Sequence, residues 1–370
     1  MDDIYGMIPL DTRLFKFIDT PHFQRLRYIK QLGASYLCFP TANHTRFCHS
    51  IGTSYLAGEL YDKLYDPTLD LRPVDKLLIQ TAGLLHDLGH GPFSHAFEHS
   101  ILPKMLGNHE WNHEAQGLRL IDHLIESEEI DLFDTHQTRR LRQILTGEIP
   151  SEFKWMNQII SNSDFGIDVD RIDYLVRDAY NVGSKCGFDF TVLSSHVNIV
   201  NGNIAFHIKR QPELLNFFQT RYTMYNQIYN HPITKSIEYM LVDAILDSEP
   251  ILKIRDAIGD PEKFLTLNDS IYNIIERDGS DLAKKNINRI NRRDFYKLVY
   301  SSDTPPPAEM AAIENAIVDR VSHNYGQGDK NPLTMVPYYG TSKLERKLIL
   351  PERFEQIEYR VYRGGGQLSP

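Results

Sequence analysis

The sequence predicts a mainly helical protein: a helical core, one β-hairpin, and a small α+β C-terminal accessory part. Three observations carry this. Apolar residues recur at three- and four-residue spacing through the first 250 positions, as in Leu77, Leu78, Ala82 and Leu85. Alternating residues from Val197 to Ile208 flank Asn201-Gly202, a strong signal for a two-residue hairpin turn. From Pro250 onward the segments shorten, and Ser301 to Pro307 is rich in proline.

Taken in order, Met1 to Asp19 reads as a turn and a short helix over Thr12 to Ile18. Pro21 suits the first turn of a helix running to Gln31. Gly33 to Thr45 reads as a loop, and His49 to Tyr65 as an amphipathic helix with Ile51, Tyr55, Leu56 and Leu60 on one face. Pro67 to Pro73 breaks the chain before a helix over Val74 to Leu85, which Gly89, Gly91 and Pro92 stop. A short connection follows His99, then helices run from Trp111 to Ile125 and from Leu132 to Leu145, with a loop over Thr146 to Phe153. Met156 to Ser161 leads to a helix beginning at about Val169, with Ile172, Leu175 and Val176 inward. A long helical region over Leu214 to Leu246 is interrupted at His231-Pro232. Beyond it we expect short helices within Pro261 to Arg277, Ile287 to Tyr300 and Ala308 to His323, strands at Val336 to Tyr339 and Lys347 to Leu350, and a frayed Gly364-Gly-Gly end. The expected organisation is a core over residues 1–250, a lobe over 251–363 packed on it, and a disordered tail over 364–370.

With 41% hydrophobic and 24% charged residues, the composition is that of an ordinary globular protein, and a formal charge of −9 argues against a surface built to coat nucleic acid. Cys38, Cys48 and Cys186 are scattered and odd in number, which fits a reducing compartment. No basic-then-apolar leader opens the chain, and no apolar run approaches the ~20 residues that span a bilayer. The expectation is a soluble intracellular protein without a membrane partner, cytoplasmic or nuclear.

The chemistry gathers around His86-Asp87. Between His86 and His99 the chain places four histidines and an aspartate within fourteen residues, at the end of an apolar helix. A single buried histidine is usually a hydrogen-bonded core residue, but here His49, His86, Asp87 and Asp170 each border apolar sequence, where an unpaired charge is costly. Three helices supplying two imidazoles and two carboxylates would make a mixed nitrogen–oxygen site that suits iron, manganese or zinc, with Mg²⁺ beside it. His90, His95 and His113 are further imidazoles able to hold phosphate or move a proton. His99 and His109 have no such context. Arg46, Arg171 and Arg221, with Tyr174, Tyr225 and Tyr229, suggest a grip on phosphate. Metal-assisted hydrolysis of a phosphorylated small molecule is the class these features support, without naming the substrate.

His49, His86-Asp87 and Asp170 match, in order, the signature of the HD-domain phosphohydrolases. The runs Asp19 to Gly33, Arg46-Phe-Cys-His49-Ser50, His86-Asp87-Leu-Gly-His90-Gly-Pro-Phe-Ser-His95 and Gly166-Ile-Asp168-Val-Asp170 resemble the catalytic core of the HD-domain deoxynucleoside triphosphate (dNTP) triphosphohydrolases, among them the animal enzymes with a sterile alpha motif. The likeness extends from Asp2 to about Arg363, since Asn324-Tyr-Gly, Lys330-Asn-Pro332 and Leu350-Pro-Glu-Arg-Phe354 resemble the family's C-terminal part. No sterile alpha motif is expected before the core.

The resemblance implies hydrolysis of dNTPs to deoxynucleoside and inorganic triphosphate. It also implies a homodimer or homotetramer and activation by GTP or dNTP. By the family pattern His49, His86, Asp87 and Asp170 hold the metal, Mg²⁺ accompanies the substrate, His95 protonates the leaving 5′-oxygen, and His90 and His113 contact phosphates. Arg46, Arg171 (where a lysine is usual), Tyr174 and Arg221 would grip the triphosphate. Gln31 and Asp178 would bond the 3′-hydroxyl, and Leu32 and Tyr229 would crowd C2′. Asp19, Gln24 and Arg27 match part of the activator site, but its N-terminal basic wall is missing. Met7 and Val192 replace a histidine and an arginine, the basic stretch between Gly340 and Leu350 is shortened, and only Lys209 and Arg293 match the second nucleotide pocket. Reduced dependence on an activator is the expectation. The alternatives are a phosphodiesterase or nucleotidase on the same scaffold, or a non-catalytic nucleotide or single-strand nucleic-acid binder.

Overall fold

A computed structural model describes residues 1–64, 73–107, 109–296, 361–363 and 367–368. Its central element is α1 (Arg46–Leu64), buried around most of its circumference from Arg46 through Leu64. A helix buried on nearly every side belongs in the middle of a bundle. α2 (Pro73–Leu85) lies along it, and Ser54 donates its hydroxyl to the Gln80 carbonyl between them at 2.8 Å. Each fully buried Leu or Phe on such faces contributes roughly 1.5–3 kcal/mol.

α3 (His113–Ser127) begins at Asn112, whose side chain accepts from the Ala115 N–H. α4 (Thr135–Thr146) opens on a reciprocal Asp134–Gln137 capping box and closes at Gly147, φ +75°. α5 (Lys154–Ile160) and α6 (Val169–Val182) complete the packing about α1, and α6 is started by Asp168 accepting from the Arg171 N–H. Farther on, α7 (Gln211–Met224) passes into a π-helical turn at Tyr225–Tyr229. His231 and Pro232 then start α8 (Pro232–Asp247), whose buried face receives α10 (Asp281–Asn291); α9 (Ile271–Asp278) packs against α10.

The hairpin forms as the turn chemistry predicts. β1 (Val197–Val200) pairs antiparallel with β2 (Asn203–His207), Val200 opposite Asn203, across Asn201 and Gly202 at φ +51° and +72°. The sheet continues through β3 (Val361–Arg363), parallel to β2, and β4 (Gln367–Leu368), antiparallel to β3.

Several boundaries differ from expectation for physical reasons. The helix expected over Pro21 to Gln31 is α-helical only at Pro21–Gln24, continues as a 3-10 turn over Arg25–Tyr28, and gives way to an extended Ile29. There the backbone finds partners outside the helix: the Ile29 carbonyl accepts from the Arg46 N–H, and the Lys30 N–H donates to Asp269. The connection after His99 is helical, a π-turn over Phe97–Ile101 followed by Leu102–Leu106. The helix expected over Ile287 to Tyr300 is found, within the described residues, as α10, which begins six residues earlier at Asp281 because Ser280 caps it. Within Pro261 to Arg277 the helical parts are Pro261–Phe264 and α9.

The described residues up to Phe295, together with β3 and β4, belong to one compact unit. The expected linker at Ser301 to Pro307, helix at Ala308 to His323, strands near Val336 and Lys347, and glycine run at Gly364 lie outside the described residues, as does most of the break before α2. No helix among the described residues is long and apolar enough to cross a membrane.

Candidate metal centre and its surroundings

Three elements meet at one buried point. His49 comes from the first turn of α1, His86 and Asp87 from the residues just past α2, and Asp170 from the first turn of α6. Ligand-capable atoms of His49, His86 and Asp170 lie within 4.8 Å of one another. His49 Nε2 is 3.1 Å from Asp170 Oδ1, and Asp87 stands 3.4 Å from Nε2 of each imidazole.

The outer nitrogens fix the chemistry of the inner ones. His86 Nδ1 donates to the Gly83 carbonyl at 2.8 Å, and His49 Nδ1 donates to Asp173 Oδ2 at 2.7 Å. An acceptor-only partner puts the proton on Nδ1 and leaves Nε2 with a free lone pair. Both Nε2 atoms are buried without a hydrogen-bond partner. Buried polar atoms of that kind call for an explanation, and a cation between them is the one this donor set suits.

Electrostatics agree. Burial alone would discharge His49, but Asp170, Asp173 and Asp87 outweigh it and hold the imidazolium up to about 10. His86 is raised in the same way against its burial, by Asp87 and Asp170. Burial likewise opposes charge on Asp170 and Asp87. The two imidazoles nevertheless hold Asp170 well below the usual carboxylate range, and Arg46, His86 and His90 do the same for Asp87. A site that binds protons this firmly is a concentrated negative field, and a divalent cation would take the Nε2 lone pairs in the protons' place.

Around this cage, α6 carries a buried relay: Asp173 is paired with Arg177 at 2.9 Å, and Arg177 with Asp2 at 2.9 Å. Gly52, one turn beyond His49, makes room for it, since a Cβ there would stand 2.0 Å from Asp173 Oδ1. Arg46 engages Ser94 through Nε and Asp87 through Nη1, and its Nη2 has no partner. Phe93 and Ser94 both sit in the left-handed region at φ +59° and +58°, a cost of order 1–3 kcal/mol each. The turn is held by Asp269 accepting from the Phe93 N–H, and by Gly33, where a Cβ would meet the Phe93 carbonyl at 2.6 Å.

The histidines after the turn form their own group. His90 and His113 stack at 4.0 Å, and His95 sits edge-on to both at 5.0 and 5.8 Å. His90 Nδ1 is buried without a partner. Burial, Arg46 and His113 together depress His90 strongly and lower His95 as well, although the His95 side chain also reaches solvent, so both rings are neutral near pH 7. His113 is bonded to Glu98, a residue the sequence reading did not single out.

The remaining candidates flank the cage. Asp178 accepts from Tyr229 at 2.7 Å and bonds His44 at 2.7 Å, while Tyr174 and Tyr229 meet edge to face at 6.4 Å. Gln31 is buried with a free Oε1, and Leu32 beside it is half-buried. Arg221 approaches Gly166, and Arg171 is drawn to Asp168 rather than to Asp170. Asp19 and Arg27 are exposed, Arg27 lying over the Phe47 ring at 3.5 Å and donating to Gln24. Sequence reasoning also missed His44, Asp173 and Arg177. Only the i, i+4 spacing of the last pair hinted at it.

Residues 46–178 match the HD domain, and residues 214–323 match the HD associated region. A deoxynucleoside triphosphate triphosphohydrolase SAMHD1 homolog from Dictyostelium discoideum is 32% identical, the alignment covering 98% of this chain and 76% of that protein. The deoxynucleoside triphosphate triphosphohydrolases SAMHD1 of Danio rerio and Homo sapiens are 32% and 31% identical, over 98% of this chain and 70% and 69% of theirs. The HD match begins at Arg46 and ends at Asp178, so it contains all four residues of the cage. With near full-length similarity added, the chain belongs to the deoxynucleoside triphosphate triphosphohydrolases of the HD-domain family, a family of hydrolases.

Proposed function

We propose that the protein hydrolyses dNTPs to deoxynucleoside and inorganic triphosphate. The observation that carries this is the pair of buried, partnerless Nε2 atoms of His49 and His86 facing Asp170 and Asp87, in a chain whose relatives are named for that activity. The four residues would hold iron, manganese or zinc, with Mg²⁺ arriving on the substrate. Bound there, a divalent cation supplies Lewis acidity, neutralising phosphate charge and bringing water within reach of deprotonation near pH 7.

The chain's own residues do the rest. Arg46 Nη2, unpartnered, points to a phosphate contact, with His90, His113, Arg171, Tyr174 and Arg221 completing the grip. Water oxygen bonds to the α-phosphorus, the bond to the 5′-oxygen breaks, and His95 delivers the proton that oxygen needs. Gln31 and Asp178 bond the 3′-hydroxyl, Asp178 accepting its one proton. Leu32 and Tyr229 crowd C2′ and reject ribonucleotides. The assembly is a homodimer or homotetramer, in the cytoplasm or nucleus, with activation by GTP or dNTP through Asp19, Gln24 and Arg27 weakened. Met7 and Val192, both exposed, offer no charge to a nucleotide phosphate.

Incubating the purified chain with each dNTP and NTP, with Mg²⁺ or Mn²⁺ and with or without GTP, tests this. Expected are free triphosphate, NTP turnover at least about 100-fold slower, and similar rates without GTP. Monophosphate or pyrophosphate among the products would favour a phosphodiesterase or nucleotidase. Binding without turnover would favour a sensor, and absolute GTP dependence would refute the weakened activator site.

The relay behind His49 gives a second expectation. Asp173→Asn keeps the shape but weakens the acceptor that fixes the His49 tautomer, so metal affinity should fall about 10- to 100-fold. Metal titration of the apoprotein reads this directly, and unchanged affinity would mean that Asp173 does not position the ligand.

A further inference from the structure

We propose that His95, Glu98 and His99 form a second cation site, separate from the His49 cage, that takes a borderline metal such as Zn²⁺ and so removes His95 from proton transfer. The three residues stand at i, i+3 and i+4 of the helical turn that follows the strained Phe93–Ser94 corner. That spacing puts them on one face. Their ligand-capable atoms lie within 4.8 Å of one another. Ligands around tetrahedral zinc stand roughly 3.3 Å apart, given bonds of about 2.0–2.2 Å, so side-chain rotation of about an ångström closes the set.

The rings of His95 and His99 lie parallel within 2°, their centroids 5.7 Å apart, so one ring turns for both in-plane lone pairs to meet one ion. Two further features make this more than adjacency. Glu98 is already held by His113 through Oε2, which orients the carboxylate and leaves Oε1 to coordinate. His95 and His99 are exposed, so an ion can enter from solvent. No ligand is shared with the cage of His49, His86 and Asp170, and among the described residues these are the only two such clusters.

The donor set decides the metal. Two imidazoles and one carboxylate suit zinc, with a fourth position open to water, whereas Mg²⁺ prefers oxygen ligands and keeps its waters. Millimolar Mg²⁺ would leave the site empty while micromolar Zn²⁺ fills it. The imidazole lone pair of His95 that would carry a proton is then bound to metal. Binding rests on the geometry alone; the inhibitory consequence rests on the proton-donor role proposed for His95.

His99 is the residue to change, since it is exposed and has no part in the reaction. Zn²⁺ is titrated into the Mn²⁺-loaded wild-type chain and into His99→Gln, reading binding by calorimetry and turnover of a dNTP in parallel. Expected are an additional zinc equivalent in the wild type, binding at least about tenfold weaker in His99→Gln, equal zinc-free turnover, and a matching rightward shift of zinc inhibition. The proposal is overturned if the variant binds Zn²⁺ as tightly as the wild type, or if both are inhibited equally, because zinc would then act at the His49 cage. Should zinc bind as expected while neither protein turns over any dNTP, the second site stands and the proposed activity falls.

Discussion

Asp87→Asn is expected to reduce metal content to background and dNTP turnover by at least about 10³-fold, the scale of losing the cation's contribution to nucleophile and charge stabilisation. Asp87 is buried among Arg46, His49, His86 and His90, and within 3.4 Å of both cage imidazoles. The amide fills the same space without the charge, so the effect is electrostatic rather than a cavity. Removing that charge also leaves Arg46 buried with Ser94 as its remaining side-chain partner, which costs on the order of 3–5 kcal/mol where nothing else compensates. His86→Ala provides the control for misfolding: its side chain is 13% exposed and bonds only the Gly83 carbonyl through Nδ1, so the fold survives while one ligand is lost. Elemental analysis and a melting curve accompany the rate measurement. A folded variant of either kind retaining metal and a tenth of the wild-type rate would show that the cage is not the catalytic centre.

How much of this site the sequence disclosed depended on how local each signal was. His86-Asp87 was readable because an apolar helix ends at Leu85 and glycines follow. Asp170 was readable because it lies in an acidic run at the start of a helix expected from about Val169, beside apolar residues, and Asn201-Gly202 marked the hairpin from two residues. What stayed hidden were partners far apart in the chain. Asp173–Arg177 looks like an exposed i, i+4 ion pair until His49, 124 residues away, and Asp2 are packed against it. His44 and Asp178 are separated by 134 residues, and nothing in the neighbourhood of either marks the other. The Pro21 helix failed the same way, because its end is set by Asp269, which accepts from Lys30 across 239 residues. Helical periodicity reports which face is buried, not what is buried against it. The roles given to Arg171 and Asp178 belong to the same class. Their number in the chain is legible, but their engagement by Asp168, and by His44 and Tyr229, is tertiary.

His95→Ala should lower kcat by about 10²- to 10⁴-fold while leaving the metal held by the His49 cage and the substrate affinity nearly unchanged, the signature of losing a proton donor rather than a ligand of the cage. The structure supplies the reason for the split. His95 hangs from the helix after the Phe93–Ser94 corner and is not among the residues whose ligand atoms meet in the cage. In the substrate-free protein the desolvation of the ring by its neighbours, Arg46 and His113 lower its pKa, and the ring is neutral at physiological pH. A bound triphosphate reverses that balance, since several negative charges beside an imidazole favour its charged form. On the proposed role, proton donation is confined to the complex: His95 would acquire its proton when the phosphates arrive and give it up to the 5′-oxygen. The pH profiles carry the sign of this argument. For wild type, kcat should fall as pH rises through the raised pKa of His95 in the complex, and His95→Ala should lose that descending limb while keeping any ascending one. A variant with wild-type kcat, or with the descending limb intact, would assign the leaving-group proton to His113 or to water.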